Sequence, residues 1–249
     1  MKIDNPVIFS ASANTDETLL ERSISDLNLD IQHHRAFSNR KSLPEVYNEQ
    51  IEKGIAEGRD CLILIHDDVT LEEDPIPKLE KLFDEFDVVG VAGTSRCKLS
   101  SPALWHLMGG GFKSGYLHGC VQHYHEGQKY PSNFGEFPIR VVLIDGVFMA
   151  INLKKIGNVR FDEKNPAKFH FYDLIFSMDC ALNKKKVGVG DILITHASPG
   201  LRSFTEEWKS GENYFFSKYN KFKDTTLQTG KYIVNDGQEF RTEGGIRVT

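Results

Sequence analysis

Three consecutive residues, His66, Asp67 and Asp68, carry the densest chemistry in the chain. They follow the unbroken apolar run Cys61–Ile65 in the stretch DCLILIHDDVTL. Adjacent carboxylates repel each other unless a positive charge offsets them. A divalent cation bridging to a phosphate does so, since Mg²⁺ takes one or two carboxylates together with substrate phosphates. The tripeptide also has a plainer reading, a polar turn leaving a strand. Farther along, Asp145-Gly146 breaks the apolar run RVVLIDGVFMAI. A charged residue and a glycine inside such a run signal a bulge or the close approach of a ligand. Asp173 closes the stretch FHFYD just before a helical pattern, where it can cap the helix, and His196 directly follows an apolar stretch.

These residues need a frame. Cys61–Ile65, rich in Ile and Leu, predicts a strand buried on both faces, as in a parallel sheet. In open α/β sheets, ligands bind beyond the carboxyl ends of the strands. Pro6–Ser10 is a first strand, and Asn14 with Glu17 has the form of an N-cap and its reciprocal acid. Leu19, Leu20, Ile24 and Leu27 then fall at helical spacing. Ile31–Phe37 is a weaker strand, interrupted by His33 and His34. Ser42-Leu-Pro-Glu45 opens a second helix, with Leu43, Val46, Tyr47, Ile51 and Ile55 on one face and Gly58 as its stop. Ile76, Leu79, Leu82, Phe83 and Phe86 mark a third helix, and the run VVGVAG that ends at Gly93 marks the next strand and its turn. Leu174, Ile175, Met178, Ala181 and Leu182 predict a helix ending at Lys184–Lys186, where cations suit the negative end of the helix dipole or simply face solvent. Val187–Thr195 reads as one strand, Pro199-Gly200 as a turn, and Phe204–Tyr219 as an amphipathic helix.

Residues 94–138 break this alternation. They hold three consecutive glycines, Gly109–Gly111, and four histidines, His106, His118, His123 and His125. The histidines fit no standard zinc spacing, so a β-rich insertion with solvated histidines is expected there, and its length makes a functional role the alternative.

The 249 residues suffice for one large α/β domain, with 40% hydrophobic and 11% aromatic residues to fill its core. A formal net charge of −5 argues against broad binding to nucleic acid. No window is apolar for the roughly 18 residues a membrane span needs, and MKIDNPVIFS lacks a signal-peptide pattern. Cys61, Cys97, Cys120 and Cys180 include no CxxC pair, which suits reduced thiols in the cytoplasm. There is no internal repeat. One domain over residues 1–222 is expected, followed by a polar tail, 223–249, that wraps the body or is disordered, with one apolar stretch at Tyr232–Val234.

Taken in order, the first β–α unit, LILIHDDV, VVGVAG, IDGVFMAI, RFDE, FHFYD and ILITHASPG resemble the GT-A glycosyltransferases over roughly residues 5–220. The likeness is strongest to family-2-like bacterial and viral members that carry HDDV where others have a DxD motif. It implies a single Rossmann-like α/β domain with a central mixed, mostly parallel sheet flanked by helices. It implies transfer of a sugar from a nucleotide-diphosphate sugar, a UDP-sugar by analogy, to a glycan or other hydroxyl acceptor. Asp68 matches the metal-binding acid, and His196 matches a late histidine that completes the metal site. This donor set suits Mn²⁺ as well as Mg²⁺. His66 stands where the first Asp of the motif usually stands, and it and Asp67 go to the donor side. Asp145 and Gly146 resemble the stretch lining the donor sugar and acceptor, and Ser10, Ala11 and Ser12 match the nucleotide-binding end of the first strand. Asn39 and Arg40 are in reach of the base or diphosphate, for which Arg is well suited, although Arg40 is equally a surface residue. Asp173 matches the base of inverting members, which takes the acceptor proton. The family usually has two adjacent acids there; this chain has Tyr172-Asp173.

Three other readings remain open on the sequence. A sugar nucleotidyltransferase would show a Gly-rich basic loop after the first strand, and Ser10–Asn14 has neither glycine nor lysine. A metal phosphohydrolase places its His-Asp pair on helices rather than at a strand end. A non-catalytic sugar- or nucleotide-binding module would carry a degenerate site of this kind.

Overall fold

The computed structural model describes residues 1–13, 15–125, 127–198, 203–223 and 226–229, and the backbone of 234–235, 238–239 and 247–248. β1 (Pro6–Ala11) leads to α1 (Leu19–Asp26) and β2 (Gln32–Ala36). The cap expected at Asn14 lies outside the described residues; Thr18 and Glu21 form the capping box instead. β2 is a true strand despite its histidines, because it is the edge strand and need not be apolar on both faces. Ser42 and Glu45 cap α2 (Leu43–Ala56) as expected, and the chain enters β3 (Cys61–Ile65).

All five β3 side chains are fully buried. They alternate, as strand geometry demands. Cys61, Ile63 and Ile65 join one apolar cluster with Phe83, Phe148 and Phe215. Leu62 and Leu64 join another with Phe9, Tyr47 and Phe176.

Beyond β3 the chain turns through 66–68 into β4 (Val69–Leu71), α3 (Ile76–Glu85), β5 (Val88–Gly90) and β6 (Ala92–Thr94). The insertion follows as β7 (Arg96–Lys98), a one-turn α4 (Trp105–Met108), and a hairpin of β8 (Leu117–His125) and β9 (Gln128–Gly135). Then come β10 (Ile139–Arg140), β11 (Leu143–Ile144), β12 (Phe148–Asn152), α5 (Tyr172–Leu182), β13 (Val187–Val189), β14 (Ile194–His196), α6 (Glu206–Lys218) and β15 (Thr226–Gln228).

The main sheet has the order β10-β13-β5-β12-β3-β1-β2. Five of its seven strands point one way, with β12 and β10 opposed. Helices flank both faces. The side chains of α1, α3 and α6 enter the first cluster, those of α2 the second, and α5 feeds both. A second sheet runs β11-β6-β8-β14-β4, with β9 on β8.

Among the described residues the chain passes between the two sheets at seven places: β3 to β4, β4 to β5 through α3, β5 to β6, β9 to β10, β10 to β11, β11 to β12 and β13 to β14. This corrects the expectation of one strand and its turn in the run ending at Gly93 and of one strand over Val187–Thr195: each stretch enters two strands that lie in different sheets. β5 and β6 are buried throughout, so the apolar run Val88–Gly93 does not reveal its change of sheet, and in Val187–Thr195 only Gly190 and the exposed Asp191 mark the break.

Thr205 caps α6, which buries Trp208 and Phe215, with Tyr219 buried just beyond its end. The chain after Lys223 contributes β15, which pairs with β7. The expected turn at Pro199-Gly200 and the residues Tyr232 and Ile233 lie outside the described residues. No helix among the described residues is long and apolar enough to cross a membrane.

Candidate active site

β3 ends at the seam between the sheets. The backbone there is held on three sides: His66 N–H donates to Val147 O (3.2 Å), Leu20 N–H to Asp67 O (3.4 Å), and Ala197 N–H to Asp68 O (3.0 Å). β14 runs antiparallel to β4 with His196 opposite Val69, which sets His196 beside Asp68. The Nε2 of His196 lies 3.3 Å from Asp68 Oδ1, and the Nδ1 of His66 lies 4.0 Å from the same oxygen. Ligand atoms from His66, Asp68 and His196 all fall within 4.8 Å of one another.

Asp68 Oδ1 and His196 Nε2 are buried, and neither completes a hydrogen bond. Leaving such atoms unpaired costs about 1–3 kcal/mol each, and a cation between them would satisfy both. Burial works against the ionised Asp68, yet the imidazoles of His196 and His66 outweigh it and hold the carboxyl below its usual range. Burial also lowers His66, against the pull of Asp68, and so favours the neutral imidazole that a metal requires. The other ring nitrogen of His66, Nε2, is hydrogen-bonded to the Tyr172 hydroxyl at 2.7 Å. Such outer contacts orient a ligating histidine. The donor set therefore fits a divalent cation, and it draws His66, expected on the donor side, into the candidate metal cluster. The Asp67 carboxylate is half-buried and has no hydrogen bond or ion pair among the described residues.

The second acidic element is built where β11 meets β12. Asp145 accepts from Val147 N–H at Oδ1 and from the Trp105 indole N–H at Oδ2, both at 3.0 Å. Gly146 N–H donates to Asp173 Oδ2 at 2.9 Å. Phe171 adopts a left-handed conformation (φ 64°), so α5 starts at Tyr172 and Asp173 lies in its first turn. Glycine is required at 146, because a Cβ would collide with the Tyr172 hydroxyl and the Cβ of Asp173. Burial and then the neighbouring Asp145 carboxylate push Asp173 up to about 7. That is the range of a general base working near neutrality.

The end of β1 lies beside β3, with Phe9 opposite Leu64. Ser10 Oγ is 2.9 Å from His33 Nε2, and Ser12 Oγ accepts from Arg35 Nε at 2.7 Å. Arg35 also pairs with Glu21 at 2.8 Å and lies over the Phe37 ring at 4.6 Å. Asn39 N–H donates to Ser12 O, which closes this corner, but its amide is taken up by the Lys41 backbone. Ser10, Ala11, Ser12 and Asn39 therefore come together, while Arg40 is exposed and without an ion pair among the described residues. Sequence reasoning missed His33 and Arg35, whose places at the β2 edge only the strand register reveals.

Trp105 was also missed, since no spacing ties it to Asp145. The insertion histidines are not uniformly solvated. His118 is buried, with Ser95 Oγ at 2.9 Å and Glu136 O at 3.2 Å. His123 is half-buried, its ring 5.4 Å from Tyr130 and 6.4 Å from His196.

A family model described as "glycosyltransferase like family" matches residues 25–227. The chain belongs to this family. Streptomycin biosynthesis protein StrF of Streptomyces griseus is 27% identical over 179 residues, which are 70% of this chain and 59% of StrF. The chain thus spans less than two thirds of that curated relative. The crystal structure of GalNAc-T7 with UDP, GalNAc and Mn²⁺ superposes with a TM-score of 0.53 at 9% identity, covering 88% of this chain and 49% of that one. The family member described here shares the GT-A fold with it.

Proposed function

We propose that this chain is a metal-dependent glycosyltransferase that moves a sugar from a nucleotide-diphosphate sugar to a hydroxyl acceptor, with inversion. One observation carries the reading: His66, Asp68 and His196 converge at the carboxyl end of β3, with two buried atoms lacking hydrogen-bond partners. Asp173 stands close by, linked through Gly146 and Tyr172. His66, Asp68 and His196 would hold Mn²⁺ or Mg²⁺, which would offset charge on the departing diphosphate when bound. Asp67, Ser10, Ala11, Ser12, Asn39 and Arg40 form the donor side.

Asp173 is the base. It takes the acceptor proton as the acceptor oxygen bonds to the anomeric carbon. The bond from that carbon to the diphosphate oxygen breaks, and its electron pair leaves with the diphosphate. The 2.9 Å bond from Gly146 N–H and the packing under Tyr172 fix the carboxylate for this role. A UDP-sugar is the first donor to try, because the GalNAc-T7 structure carries UDP, GalNAc and Mn²⁺. The four free cysteines suit a reducing, cytoplasmic setting.

A thermal-shift panel of nucleotide diphosphates and nucleotide sugars, with and without Mn²⁺, tests the proposal, since a ligand of the folded state raises apparent stability. A Mn²⁺-dependent shift that disappears in Asp68→Ala supports it. No shift with any nucleotide in the presence of metal would reject it.

A further inference from the structure

The insertion builds an aromatic face that the chemistry above does not use. Phe112 is 68% exposed. Its ring stacks on Phe134 (5.8 Å, 23° between planes) and lies 5.7 Å from His106. Trp105 closes the group, 5.0 Å edge-on from Phe134 and 5.7 Å from His106.

The backbone enforces this grouping. Gly110 and Gly111 have φ of +100° and +81°, a region that side chains resist. Gly111 N–H closes onto His106 O at 2.8 Å, so the chain folds back and lays Phe112 against His106. An exposed aromatic placed this deliberately costs solvation unless something covers it. The face is continuous with the acidic pair, because the Trp105 indole N–H donates to Asp145 at 3.0 Å.

We propose that this face is the acceptor subsite and that the acceptor is a glycan, a pyranose ring of which stacks on Phe112 and Phe134. The inference rests on the transferase reading. The C–H groups of a pyranose face carry slight positive charge and meet the negative π-face of an aromatic ring, while its hydroxyls stay at the rim. The short path from Phe112 through Trp105 to Asp145 then brings a hydroxyl of the same or the next sugar to Asp173. The flanking charges are the exposed Lys113 next to Phe112 and Asp145 at the Trp105 indole, and the rings between them select by shape and apolar contact.

The test uses full-length protein, labelled, on a printed array of oligosaccharides with UDP and Mn²⁺ present. Phe112→Ser is the variant, because a side chain this exposed is dispensable for folding. The wild type binds pyranose-containing glycans, and Phe112→Ser weakens that binding about threefold to tenfold. The Mn²⁺-dependent nucleotide thermal shift stays unchanged in the variant. Equal glycan binding by both proteins overturns the proposal, as does binding to no glycan. Loss in Phe112→Ser of binding to vesicles of phosphatidylcholine and phosphatidylglycerol, with glycan binding unaffected, also overturns it and makes the face a membrane contact. Absence of the nucleotide shift in the wild type counts against the donor site alone and is read separately from the array.

Discussion

His196 Nε2 and Asp68 Oδ1 face each other at 3.3 Å, buried, without the alignment of a hydrogen bond. Two lone-pair atoms so arranged are poised to share a cation. Titration with Mn²⁺, followed by the loss of the free-ion electron paramagnetic resonance signal, is expected to show binding to the wild type. Asp68→Ala and His196→Ala are expected to abolish it. At a hundred times the dissociation constant the ion stabilises the fold by about 2.7 kcal/mol, and this increment vanishes in both variants.

Tyr172→Phe removes the hydroxyl that holds His66 Nε2 at 2.7 Å. The ring stays packed against Tyr47 and Phe161, so the fold persists. Metal affinity is expected to fall roughly 10–100-fold, the usual effect of losing an outer contact. An unchanged affinity in the same Mn²⁺ titration would show that His66 is not a ligand.

Asp173→Asn keeps the shape of the base and loses its proton affinity. Transfer is expected to drop by about 10²–10⁴, while the Mn²⁺-dependent nucleotide shift remains. Full transfer by the variant would refute the assignment of the base.

Asp173 also predicts a pH dependence. Its carboxyl sits at about 7 in the fold and near 3.9 in an unfolded chain. The native state therefore holds the proton more tightly. The stability that this proton confers is complete below about pH 4 and is lost as pH rises to about 7. The melting temperature of Asp173→Asn relative to wild type is expected to climb across that interval and level off above it. The acid limb of the wild-type transfer rate falls near pH 7. In Asp145→Asn it moves lower, because the neighbouring negative charge is gone.

Gly146→Ala forces a methyl into the Tyr172 hydroxyl and the Cβ of Asp173. Overpacking of this kind costs about 1–3 kcal/mol, measurable by urea denaturation. Loss of transfer exceeding the loss of folded protein is expected, since the shifted groups are those that carry the chemistry.

Much of this site was legible in the chain. Alternation places Cys61–Ile65 in two cores, and a strand so buried delivers His66–Asp68 to its carboxyl end. Ser42 and Glu45 announced their helix, and Asp145-Gly146 announced a break. What stayed hidden depends on register and on long-range closure. Nothing local shows that Val88–Gly93 changes sheets, that Arg35 reaches Ser12, or that Trp105 reaches Asp145 across the insertion. The start of α1 was hidden as well: Asn14 with Glu17 and Thr18 with Glu21 have the same capping-box spacing, so the sequence rule does not separate them, and Thr18 is the cap, two residues before the fully buried Leu20.

The passage of the chain between its two sheets has a mechanical consequence. His66 hangs from the end of β3 in one sheet, and His196 ends β14 in the other. An ion gripped by both would act as a rivet, and slip of one sheet against the other would loosen it. Donor capture and the stiffness of the whole molecule would then be coupled, so amide hydrogen exchange along β4 and β14 should slow when the rivet is in place.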